Sequence, residues 1–339
     1  MSDNAIEDTR IQTKILRYTV GVGLAVFLAA LIDWPLAFVA PVFVAKFLID
    51  KPELNKETLY ELTIAMVVTM ALGLLLSNGI TQYPIPMLIL VGIMMLWGYY
   101  LFTDPKWNLF ATILIIAVLM LPFMAISNPG MSVFLATGLA SSGVVAVVIF
   151  ALVHIYFPEK ESSFSGYQPS PLSKQQRWYA AFRAMIISFP VVCFFFIFQI
   201  SEALLTMMFI ALLSLMITGE KSVKLSAFLI ITNSIGGALA IGVFSVLSLA
   251  PNILFYTLFI SLIALVMATQ IYTKPAKAPV YATAFSTVLV LLGSTLMSSG
   301  DIDSNMFIRI FQLFMIGIYM IIVSFFLETR QWAFLKMQP

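Results

Sequence analysis

The chain consists, from end to end, of apolar runs long enough to cross a bilayer, and few folds are open to such a sequence. The stretch Arg17 to Val44 sets the pattern: a cationic start, about sixteen apolar residues, a break at Asp33-Trp34-Pro35, then a second apolar run holding Pro41. Hydrocarbon offers the backbone no hydrogen-bond partners, so a segment crossing about 30 Å of it must satisfy its own bonds as a helix of about 20 residues. Arg17 to Val44 is therefore expected to leave the cytoplasm as one helix and return as another, with Asp33 at the tip. Polar punctuation divides the whole sequence into roughly twelve such runs, near 16–32, 35–49, 59–80, 85–103, 107–126, 131–157, 180–199, 203–218, 224–248, 252–272, 279–298 and 305–327. The second and eighth are short, so their hairpins are expected to tilt or to span incompletely.

Composition agrees with a bilayer as the solvent. Hydrophobic residues make up 61% of the 339, charged ones 10%, and mean hydropathy is +1.02, more apolar surface than a soluble core can hide. A net charge of +2, with the cations scattered singly, gives no basic stripe for nucleic acid. Cys193 is the only cysteine, which excludes an intramolecular disulfide and a cysteine-based metal site. No paired-His motif, Walker-type glycine loop or nucleophile elbow is present, so neither an enzyme, nor a cofactor, nor direct use of ATP is expected.

The cations give the expected topology. Cytoplasmic loops retain Lys and Arg. With the N-terminus inside, every Lys and Arg except Arg309 falls in a cytoplasmic segment, which an even number of crossings and two cytoplasmic termini explain. Residues 1–15, mixing Asp3, Glu7 and Asp8 with Arg10 and Lys14, read as a cytoplasmic tail before a retained anchor rather than as a signal peptide. The Ser-, Pro- and Gln-rich stretch 158–179 reads as a cytoplasmic linker between two halves, 16–157 and 180–328, with 329–339 as a second tail.

The halves read as diverged copies. Arg17 and Arg183 open the leading helix of each, Asp33 and Glu202 cap the leading hairpins, and Thr69-Met-Ala-Leu-Gly73 matches Thr232-Asn-Ser-Ile-Gly236 in the same order. Six crossings per copy relate the copies by an axis along the membrane normal, giving two parallel repeats with a pathway expected between them.

Ionisable side chains at membrane depth are costly, so each is a candidate functional site. Arg309 stands about a turn into the last run, with Gln312 on its face at i+3, and a guanidinium with an amide suits a carboxylate substrate. Alternatively, Arg309 snorkels to the surface or pairs with Asp301 or Asp303. Asp33 and Glu202, in matching places at the outer ends of the two leading hairpins, are positioned to take and release a proton. The alternative is a helix cap wetted from outside, and Trp34-Pro35 does read as a helix start.

Smaller polar groups add further candidates. The ninth run carries Asn233 beside Gly236 and Gly237, which either let helices approach closely or loosen the helix toward a cavity. Thr283 and Thr287 share a face of the eleventh run, as a polar wall or as hydroxyls bonded to their own helix. His154, the single histidine, supports neither a metal site nor a triad.

Arg17 at the head of the first helix, the Trp34-Pro35 pair, Ala40-Pro41-Val42-Phe43-Val44 and the Thr- and Gly-rich third run together resemble the membrane half of the fusaric acid resistance and aromatic acid exporter family. The chain is similar to a compact, membrane-only member. That resemblance implies an exporter of small aromatic or organic acids, or related toxic compounds, in a bacterial inner membrane. It also implies a membrane-fusion-type periplasmic adaptor and an outer-membrane channel as partners. A passive organic-anion channel, and a non-transporting subunit that anchors an adaptor, are the alternative functions.

Overall fold

The computed structural model describes residues 3–51, 53–104, 106–158, 173–198 and 223–296, with isolated positions between 207 and 215 and between 311 and 326. Among the described residues the chain is helical with no strand. Eight helices are long and apolar enough to cross a membrane, so this is an all-α, multi-pass membrane protein. The eighth and twelfth runs and most of the linker fall largely outside the described residues.

The first run lies in α1 (Asp3–Ile32), whose helix begins well before the apolar stretch. The second run is the 12-residue α2 (Val39–Asp50), which at 1.5 Å per residue covers only about 18 Å of a core about 30 Å thick. It is short, as expected, and it starts four residues later than Pro35, because residues 34–38 are held as a turn. There follow α3 (Lys56–Ser77), α4 (Pro84–Phe102), α5 (Asn108–Ser127) and α6 (Pro129–Tyr156). Next come α7 (Lys174–Phe198), α8 (Val223–Leu247), α9 (Ile253–Thr273) and α10 (Ala278–Leu296).

Local chemistry starts two of these helices. Ser173 and Gln176 form a reciprocal cap before α7: the Gln176 amide donates to Ser173 Oγ at 3.3 Å, and the Ser173 amide to Gln176 Oε1 at 3.2 Å. Asn252 caps α9 by accepting from the Leu254 amide at 2.8 Å.

The chain divides into two compact units that interleave along the sequence. Unit 1 takes Met1–Thr63, Gly138–Pro169 and Ile235–Met306; unit 2 takes Ile64–Thr137, Ser170–Ser234 and Phe307–Pro339. In unit 1, α1 packs on α9 and α2, and α10 packs on α2 and α9. The crossing of α1 with α9 is tight at Gly23, where a Cβ would stand 2.4 Å from Ser261 Oγ. One end of unit 1 gathers its cations. There Arg17, 4% exposed, donates to the carbonyl of Phe157 at 2.7 Å, just past the last turn of α6, where the final carbonyls of a helix lack partners. At the same end Tyr272 donates to the Leu48 carbonyl, Lys46 pairs with Asp50 at 2.8 Å, and Lys51 pairs with Glu61 at 2.8 Å.

In unit 2, α4 packs on α5 and α7. The most apolar stretch of α5 is 89% buried, against 17% for that of α9 in unit 1, so α5 is a core helix while α9 faces outward. Arg177 ties the start of α7 to the end of α4, bonding the Tyr100 carbonyl and Thr103, pairing with Asp104 at 3.2 Å, and stacking over the Tyr100 ring.

Candidate functional site

The end of unit 1 opposite its cations is organised by the turn between α1 and α2. Asp33 closes α1, donating its amide to the Ala29 carbonyl at 3.1 Å with φ at 49°. Aspartate is among the few residues that adopt this left-handed conformation readily. Leu36 also has a positive φ, 57°, which costs a leucine about 1–2 kcal/mol, so neighbours must hold it. Ser142 on α6 does so. Its hydroxyl donates to the Leu36 carbonyl at 2.8 Å and accepts from the Trp34 indole N–H at 2.9 Å.

One turn earlier on α6, Gly138 allows contact that no side chain would permit: a Cβ there would lie 2.1 Å from the Pro35 carbonyl oxygen. Opposite, on α10, a Cβ at Gly293 would lie 2.3 Å from Phe38 Cβ. The turn is thus pinned on both sides by helices that meet it only because they carry glycine.

Beside this turn lies a cavity of about 510 Å³. Its wall comprises Ala29, Ala30 and Asp33 from α1 and the turn, Phe38 and Pro41 from the return, the end of α8, Ser248, Ala250 to Ile253 and Tyr256, and Leu289 and Gly293 of α10. The wall is mostly aliphatic and aromatic. Its polar groups are the Asp33 carboxylate, Ser248, the Asn252 amide and the Tyr256 hydroxyl. Among the described residues, Asp33 is the only charged one on that wall, and no ion pair or hydrogen bond engages its carboxylate. A mostly apolar chamber with one carboxylate at its edge can hold a small aromatic body.

The other expected site residues fall elsewhere. Thr283 donates to the Pro279 carbonyl and Thr287 to the Thr283 carbonyl at 3.1 Å, both within α10 and neither on the cavity wall. His154 sits 2.8 Å from the Phe150 carbonyl of its own helix, with its ring against that of Phe150. Arg309, Gln312 and Glu202, and the side chain of Asn233, lie outside the described residues. α8 runs unbroken through Gly236 and Gly237, and a Cβ at Gly236 would come 2.7 Å from the Ala284 carbonyl oxygen of α10. Close packing, not a broken helix, is what Gly236 provides.

Tyr256, Asn252, Ser142 and Gly138 do not stand out in the sequence. Of these only Asn252, after Ala250-Pro251 and before an apolar run, carries a readable sign, that of a helix cap.

A family model described as "Protein of unknown function (DUF2955)" matches residues 14–153. The matched stretch spans the first six apolar runs almost completely. No curated protein and no solved structure matches the chain.

Proposed function

We propose that this multi-pass membrane protein is a proton-coupled efflux transporter for small aromatic or organic acids and related toxic compounds, residing in a bacterial inner membrane. The observation that carries this reading is the chamber at the turn end of unit 1, apolar throughout except for one unpaired carboxylate and three neutral polar groups. With Asp33 ionised, its charge repels an acid group at the edge of the chamber. Protonation from the outer aqueous phase removes the charge and lets the acid pass. Loss of that proton toward the cytoplasm resets the site.

Arg309 and Gln312 are the groups that hold the substrate carboxylate in this scheme, and Glu202 is the counterpart of Asp33 in the second half. The partners are a membrane-fusion-type adaptor and an outer-membrane channel. No metal, cofactor or nucleotide takes part, and the chain catalyses no covalent step.

The test is reconstitution in liposomes with an imposed pH gradient, following movement of an aromatic acid such as benzoate beside an internal pH dye. The reading predicts acid movement that follows the gradient and stops in Asp33→Asn. Transport that ignores the gradient would instead favour a passive channel; a protein that moves nothing yet captures an adaptor would be an anchoring subunit.

A further inference from the structure

The sign of the charge in the chamber selects a second class of ligand. Among the described residues, Asp33 is the only charged one on the wall, the cations of unit 1 collect at its far end, and Phe38, Phe244 and Tyr256 bring aromatic rings to the same space. An exposed carboxylate at the edge of a mostly apolar wall, without a partner among the described residues, is complementary to a flat apolar body bearing one ammonium group, which the rings favour as well. The Tyr256 hydroxyl has no partner among the described residues. Asn252 spends its side-chain oxygen on the α9 cap and keeps its amide N–H groups for a ligand. We propose that this chamber is a binding site for aromatic ammonium compounds, held by Asp33.

The site binds a proton or an ammonium, never both, because each uses the same charge. Among the described residues, Tyr256, on α9, is the only other titratable group on the wall; α8 and α10 contribute none. The volume of about 510 Å³ accommodates a naphthalene-sized ring system. An amine lodged there keeps Asp33 ionised and so opposes the proton step proposed above, but binding itself does not rest on that step.

A matched pair of ligands tests this: 1-naphthylmethylamine and 1-naphthoate share the ring system and carry opposite charge. Titration calorimetry is run on the full chain in phosphatidylglycerol nanodiscs. The amine is expected to bind at neutral pH and to lose about tenfold or more in affinity in Asp33→Asn. Asp33→Gly should lose as much, and both variants keep the left-handed backbone, so a fold defect is separable by melting temperature. Ala30→Phe, which fills the chamber without touching the charge, should also abolish binding. Displacement of the amine by added phosphatidylethanolamine would assign the site to a lipid ammonium headgroup, the same chemistry from another source. Naphthoate binding as tight as the amine, or amine binding indifferent to Asp33→Asn, would overturn the proposal, whatever the transport assay gives.

Discussion

Ser142 makes two bonds that fix the turn, to the Leu36 carbonyl and from the Trp34 indole. Ser142→Ala removes both and leaves Leu36 in a backbone conformation it does not favour. The variant should lose about 1–2 kcal/mol, read as a lower melting temperature in detergent. Gly138→Ala should cost about 1–3 kcal/mol by the same measurement, since its Cβ would meet backbone, the Pro35 carbonyl, rather than a movable side chain. Arg309→Gln is expected to abolish acid export while leaving the fold and the melting temperature intact; unchanged export would remove Arg309 from the pathway. At this scale the sequence was legible where a residue was unusual for its solvent. Asp33 in an apolar chain is such a residue, and it does line the chamber. Ser142, Gly138 and Tyr256 are ordinary in a membrane helix and acquire meaning only through what the fold sets beside them.

Helices were legible because each must close its hydrogen bonds within one apolar run. Most run boundaries coincide with helix ends to within a few residues. At Trp34-Pro35 the difference is informative: the pair reads as a helix start, yet α2 begins at Val39. A start at Pro35 was the reading from Pro at a first helical turn, and it failed because α6 and α10 hold residues 34–38 through contacts distant in sequence. Arg17 shows the reverse. The sequence marks it as the cytoplasmic foot of α1, and the structure adds that it caps α6. At Gly236 the sequence favours close packing over a loosened helix, and contact with the Ala284 backbone agrees. Gly236→Val should therefore push α8 from α10, costing about 1–3 kcal/mol in a thermal melt.

At the scale of the chain, the two units repeat a pattern of helix pairs. In unit 1 the first apolar run packs on the tenth; in unit 2 the fourth packs on the seventh. Moving each member by six runs, the first to the seventh and the tenth to the fourth, converts one pair into the other, and the fourth–fifth and tenth–eleventh pairs correspond in the same way. Sequence order suggested the repeats but not this exchange, since nothing local tells α1 to pair with a helix from the other half. Each unit draws on both halves, so neither half should be stable alone. A chain cut between Pro158 and Ser173 should yield stable protein only when both pieces are expressed together, as judged by co-purification.

The account rests on Asp33 as the group that couples a proton to passage of the substrate. The most direct measurement is proton movement into liposomes during efflux of an aromatic acid, compared between the native chain and Asp33→Asn at equal incorporation. The account predicts linked fluxes in the native chain and the loss of both in the variant. Linked fluxes that persist in Asp33→Asn would contradict it.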